Sequence, residues 1–221
     1  MYMRLKDNIA AKGRLELFVT KGDLPKVTPV RLLSRFRGHE IYQDAILDFS
    51  ETNVIERQFL ENIIVNTGKD AVIRALTTGF VKTIARLAIG DRGTIPSDST
   101  VPKVPTPDMS ALYNEVYRSD IDVTTLNIGT PTIHEVKFIK TFSALTVPIT
   151  AFSNQANPAI NEVGLILCDL LGGDPLPRAD VYSPNPNLAD EELFSIRCFK
   201  SVPFEAANEI AVTIRYTIYI E

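Results

Sequence analysis

The sequence predicts a mainly β protein: an antiparallel β-sandwich with one short α-helix, long proline-rich loops and an N-terminal arm. Three observations carry this. The end of the chain alternates, with Ile210, Val212, Ile214, Tyr216, Ile218 and Ile220 on one side and Glu209, Ala211, Thr213, Arg215, Thr217 and Tyr219 on the other. That is the period of a half-buried strand, and it sets the register, because a one-place slip would put every isoleucine in water. Upstream, runs rich in Val, Ile, Thr and Phe at 121–126, 133–142, 147–152 and 159–168 are broken by Gly, Pro or Asn, as in antiparallel strands packed face to face. Only one stretch has a clear helical period: Val72, Ala75, Leu76, Gly79 and Phe80 fall at i, i+3, i+4, i+7 and i+8.

Taken in order, residues 1–12 form a short polar arm with little to hold it except a partner. Residues 14–20 alternate as a strand that ends at the Lys21-Gly22-Asp23 turn, and Pro25 and Pro29 prolong the loop after it. Arg31, Arg35 and Arg37 are interleaved with Leu32, Leu33 and Phe36. In an acidic chain this reads as a solvated strand face or a protein contact rather than a nucleic-acid surface. Strands follow at 41–49, 54–59 and 62–65, the first two separated by Ser50-Glu51-Thr52-Asn53. The helix spans about 68–77, with Thr67 as cap and Asp70 in its first turn, and packs on a sheet whose next strand is 82–89. Residues 110–117 open on Ser110 as a cap and are either a short helix or extended. Residues 170–190, with Pro175, Pro177, Pro184 and Pro186, are an irregular loop of a length that is usually functional or interfacial, and 193–200 returns as a strand. Two regions result: an arm and small β subregion at 1–66, and the main sandwich at 67–221.

One stretch organises the rest. Ile84-Ala85-Arg86-Leu87-Ala88-Ile89 opens into Gly90-Asp91-Arg92-Gly93, a turn in which glycine permits positive φ and aspartate bonds its own backbone two residues on. Pro96, Pro102, Pro105 and Pro107 then stiffen 94–108 into an ordered arm across a surface, followed by Leu112-Tyr113-Asn114-Glu115-Val116-Tyr117-Arg118. Together with Asn161-Glu162-Val163-Gly164-Leu165-Ile166 and the later Asp169, this order of motifs resembles the domain at the start of bacteriophage tail-collar fibre proteins. The likeness covers about 67–221. It departs from the family pattern at Arg92, which stands inside the G-D-x-G turn, and at Glu221, where a fibre would continue into a shaft. The resemblance therefore implies a compact virion component of the tail, collar, neck or baseplate. Such a protein is assembled in the host cytoplasm, acts in many copies as an adaptor or ring, and binds other phage tail, neck or baseplate proteins. Pro102, Pro105, Pro107, Tyr113, Tyr117 and Tyr182 are the candidate interface residues. A host-recognition or carbohydrate-binding sandwich, using tyrosines as its binding face, is the competing class; a capsid decoration protein is a third.

Composition narrows the chemistry. A net charge of −4 and a pI near 5.3 give no basic footprint for nucleic acid. No apolar run is long enough for a membrane span, and the first residues are too polar for a signal peptide. Cys168 and Cys198, each in an apolar stretch, read as buried free thiols, with a bridge between neighbouring strands as the alternative. With the distant His39 and His134 they make no zinc-type spacing, so neither metal nor cofactor is expected. There is no G-x-S-x-G elbow, phosphate loop or H-E-x-x-H, and nothing selects a catalytic pair from Asp91, Glu115, Asp120, Asp122 and Glu162. A non-enzymatic role is the expectation. Glu162 stands out in an apolar strand. If it faces the core it needs a cation, and Arg118 is the first choice, although Glu115 can claim Arg118 at i,i+3 and Glu162 can face solvent instead.

Overall fold

The computed structural model describes residues 11–36, 39–78, 82–130, 133–169 and 191–220. The strands are β1 (Ala11–Lys21), β2 (Lys26–Phe36), β3 (His39–Asp48), β4 (Asn53–Ile64), β5 (Lys82–Gly90), β6 (Thr94–Ile95), β7 (Asp98–Pro102), β8 (Glu115–Asp120), β9 (Val123–Thr130), β10 (Ile133–Ser143), β11 (Ala159–Asp169), β12 (Glu191–Pro203) and β13 (Ile210–Ile220), with one α-helix, α1 (Asn66–Thr78). The fold is mainly β, as expected. Eleven strands form one curled mixed sheet in the order β2-β3-β9-β10-β13-β1-β4-β12-β11-β5-β8, and β6-β7 form a small hairpin. Two separate antiparallel sheets are not what the chain builds. Hydrogen bonding runs on from β4 to β12 through Ile63 and Ile64, and β3 meets β9 in parallel at Ile41 and Tyr42.

Curling brings two halves face to face over one core. Leu15, Leu17 and Val19 of β1, Phe138 and Phe142 of β10, and Val212, Ile214 and Tyr216 of β13 pack against Leu87 and Ile89 of β5, Val163 and Leu165 of β11, and Phe199 of β12. Residues on both sides of position 66 share this core, since β1 lies between β13 and β4. β13 departs from the half-buried strand of its sequence pattern. Its other face is covered too, with Ala211 and Thr213 fully buried. The cover is the β2–β3 hairpin, which crosses the outside of this half. Ala45, Val27 and Leu47 pack on Val123 and Ile139, and Phe49 beyond it stacks on Phe18 of β1 with ring centroids 4.8 Å apart.

Several expected boundaries move. Pro29 lies inside β2 rather than in a loop, tolerated because β2 is the edge of the sheet. The strands expected at 54–59 and 62–65 are one strand, β4. Residues 147–152 form a loop with a single 3₁₀ turn at Ile149–Ala151 instead of a strand, Pro148 standing at its start. Residues 115–120 are extended as β8, which decides the two readings left open there. α1 begins at Asn66, and Thr67 is not its side-chain cap: its hydroxyl donates to the Leu193 carbonyl at 2.5 Å. Ala71 packs against the core, whereas Val72 and Ile73 of the helix remain exposed. Among the described residues no helix is long and apolar enough to cross a membrane. The expected arm at 1–12 lies largely outside the described residues, as do the loop at 170–190 and Tyr182 in it.

Candidate functional site

The three motif segments meet at one carboxylate. β11 places Glu162 opposite Gly90 of β5 and Cys198 of β12, where its side chain is fully buried. Its Oε1 accepts the backbone N–H of Asn114 at 2.8 Å and of Arg92 at 3.2 Å, and its Oε2 accepts that of Tyr113 at 2.8 Å. The carboxylate therefore ties the Gly90–Gly93 turn to the Leu112–Glu115 segment. The two glycines are required by proximity rather than by positive φ, which among the described glycines only Gly22 has. A Cβ on Gly90 would collide with the Asn114 carbonyl and the Glu162 carboxylate, and one on Gly93 with the Asn161 carbonyl and Glu162 Cβ.

Neighbouring side chains extend the clasp. Asn161 Oδ1 accepts the Gly93 N–H at 2.5 Å, and its amide nitrogen lies 3.2 Å from the Asp91 carbonyl and from Thr94 Oγ1, and 3.0 Å from Ser201 Oγ. Asp91 does not close a turn on its own backbone. It accepts the Asn114 side-chain amide at 2.6 Å and the Ser153 N–H at 2.5 Å, reaching across to the 143–153 loop. Lys103 anchors the proline-rich segment: its N–H donates to the Gly93 carbonyl at 2.7 Å, its ammonium donates to the Arg92 carbonyl at 2.5 Å, and the same ammonium lies 4.2 Å above the Tyr113 ring. At the far end the Asn66 N–H donates to the Pro107 carbonyl at 2.7 Å. Residues 93–114 are thus fastened at both ends, and Met109 and Leu112 of this segment pack on Ala85, Ala88 and Ile166 over the outer face of the β5–β11–β12 half.

Burial pushes the Glu162 carboxyl above its ordinary range. The three N–H donors pull the other way, and nearby Asp91 adds to the rise. Asp91 and Glu162, two of the acids considered for a catalytic pair, are brought together. Both are engaged by protein donors, and Glu162 has no exposed surface. This geometry holds backbone segments in place.

Arg118 does not pair with Glu162. It stands level with Ala88 of β5 and Gly164 of β11, two strands away and two positions along, a separation of roughly 12 Å. Its guanidinium binds both oxygens of Glu115, Nη2 to Oε2 at 2.7 Å, and also Glu191. Arg86 takes the other oxygen of Glu191 and bonds Asp120 at 2.8 Å, so Glu191 lies between two arginines. Burial works against the Arg118 cation, and Glu115 and Glu191 outweigh it, leaving its pKa above the ordinary value. Glu191 opens β12, far in sequence from both arginines, and no periodicity marks it as their shared partner.

Of the interface candidates, Tyr113 is partly exposed at 38%, Pro107 is exposed, Pro102 is half-buried and Pro105 is buried. Tyr117 is half-buried and packs edge-on to Phe142 with centroids 6.3 Å apart. Cys168 lies opposite Glu191 and Cys198 opposite Glu162 in the β11–β12 pair, about 20 Å apart along the strand, so no bridge joins them. Burial pushes both thiols up to about 12. A feature with no sequence signal is an apolar cavity of about 430 Å³ where the two halves of the sheet part beside α1, lined by Ala71, Val72, Leu126, Phe138 and Phe194 among others. The chain matches no protein-family model, no curated protein and no solved structure.

Proposed function

We propose that this chain is a bacteriophage virion structural protein of the tail, collar, neck or baseplate, acting in many copies as an adaptor or ring component through protein contacts, without catalysis. The observation that carries the reading is the convergence on Glu162. The residues behind the likeness to tail-collar fibre domains, G-D-R-G, L-Y-N-E and N-E-V-G-L, have one shared physical job, which is to fasten a proline-rich loop on a β scaffold. A loop held at both ends is pre-organised, so docking on a neighbour orders little that is not already ordered. Its exposed apolar groups, Val101, Val104 and Tyr113, suit a protein partner. The two facing halves of the sheet serve as the stiff slab, in effect a sandwich, on which such contacts are mounted.

Host recognition or carbohydrate binding is less well supported, because Tyr117, one of its tyrosines, is half-buried with its ring packed edge-on to Phe142. The test is to locate the chain in purified phage particles by mass spectrometry and gold-labelled antibody, and to add the isolated protein to tails lacking it. Specific labelling at the neck or tail supports the reading. Absence from particles, or turnover of a substrate by the isolated protein, overturns it.

A further inference from the structure

The β2–β3 hairpin and the far end of the same sheet half carry complementary surfaces. The distal stretch 30–42 of the hairpin holds Arg31, Arg35 and Arg37 against one acid, Glu40, which Arg35 engages at 2.7 Å, a net +2 in a chain whose total is −4. Residues 30–35 are all exposed, including Val30, Leu32 and Leu33 at 38–45%. A two-stranded hairpin with apolar groups in water on its distal part is marginal by itself, so a covering partner is the physical expectation. Pro29 and the bulge between Leu32 and Ser34, with Arg31 at φ 50°, interrupt the outer edge of β2. Such features block indefinite sheet extension and favour docking by side chains.

The complementary surface is built from three turns. Lys21 at the end of β1 faces both Asn53 of β4 and Ile210 of β13, and the Gly22 N–H donates to the Glu209 carbonyl at 3.1 Å. The turns after β1, before β4 and before β13 therefore lie side by side, exposing Asp23, Glu51 and Glu209 together with Leu24, which is 53% exposed. Lys21 and Lys26 share this end, and Lys26 is drawn to Asp48 there. The hairpin crosses the sheet from Phe18 of β1 to the β9 edge at Ile41, so Arg31 and Arg35 sit at the opposite side, at least about 14 Å away. One chain cannot bring the two surfaces together.

We propose that the distal β2–β3 hairpin of one copy docks on the Asp23–Glu51–Glu209 end of a second copy, with Leu32 and Leu33 against Leu24 and the arginines against the acids. The contact is heterologous, head to tail, and closes a ring when the rotation between copies permits it. The idea rests on the multi-copy reading above and specifies which surfaces join.

The full-length parent is expected to sediment as an oligomer that dissociates with added salt. Arg31→Glu with Arg35→Glu, or Asp23→Lys with Glu51→Lys, should each weaken self-association at least about tenfold. Mixing the two variants should restore self-association in strict alternation of the two, since each then meets the opposite charge. A parent that is monomeric at its highest soluble concentration, or variants that keep the parental mass, overturns the proposal. Should a charge variant fail to fold, the exposed changes Leu33→Cys and Leu24→Cys are mixed and treated with a short bismaleimide, the native thiols being buried. Cross-links between the two variants support the contact, and their absence overturns it. Copies that join in this way yet do not add to tails leave this contact standing and remove the virion reading. Copies that add to tails as monomers with no such cross-link do the reverse.

Discussion

Glu162→Ala removes in one step the carboxylate that accepts the Arg92, Tyr113 and Asn114 backbone N–H groups. Leaving a fully buried amide unsatisfied costs about 1–3 kcal/mol, so roughly 3–9 kcal/mol is the ceiling for these three part-buried bonds. Against this, the substitution relieves the burial of a charge, the same burial that pushes the Glu162 carboxyl up. A net loss near 3 kcal/mol is the resulting figure, and at about 2–4 °C per kcal/mol for a chain of this size the melting temperature should fall by about 6–12 °C. Calorimetry reads the melting shift. Hydrogen exchange localises it, because the Tyr113 and Asn114 amides should exchange roughly a hundredfold faster while those of β13 change only by the global loss. Glu162→Gln keeps one oxygen for Arg92 and Asn114 but turns an NH2 toward the Tyr113 N–H, so its effect should be smaller and centred on that amide. A melting point within about 2 °C of the parent for Glu162→Ala, with unchanged exchange at both amides, would refute the clasp.

The pH dependence follows from the same residue. Its pKa is raised in the fold, so folding favours the protonated carboxyl; that contribution is fully present below the unfolded pKa and is lost as pH rises through the folded one. Urea titrations should show Glu162→Gln lacking this component, and identical pH profiles would contradict it. Arg118→Ala leaves Glu115 without its bidentate partner and Glu191 with Arg86 alone, and should cost about 2 kcal/mol, with Arg118→Lys restoring only part, both measured by denaturant unfolding. Gly93→Ala forces a Cβ into the Asn161 carbonyl and should cost about 1–3 kcal/mol with accelerated proteolysis of the 93–114 loop. Cys168 and Cys198 should resist maleimide in the native protein and react after denaturation, and fast native labelling would show that the thiols are not held as described.

Local chemistry made much of the fold legible. Residues 84–89 are an unbroken apolar run apart from Arg86, and this part of β5 is accordingly covered on both faces. The sequence marks out Gly90, Asp91, Gly93 and Glu162, because a glycine turn and a lone acid inside an apolar strand need a reason. The reason itself was not legible. Glu162 read as a carboxylate in want of a cation, yet three backbone amides satisfy it, and which groups face it depends on the pairing of β11 with β5.

What the sequence by itself determined is the alternation of 210–220, the β-rich composition, and a helix, expected at about 68–77 and found at Asn66–Thr78. All of these follow from spacing and side-chain type within a few positions. Only the tertiary structure decided that the strands join in one curled sheet, that Arg118 takes Glu191 rather than Glu162, and that the alternating last strand is buried on both sides. These outcomes rest on contacts between distant parts of the chain, such as Arg215 with Glu16, 199 positions apart, and Phe49 over Phe18. A two-residue period says which side chains share a face; it carries no information about what will come to cover the other one.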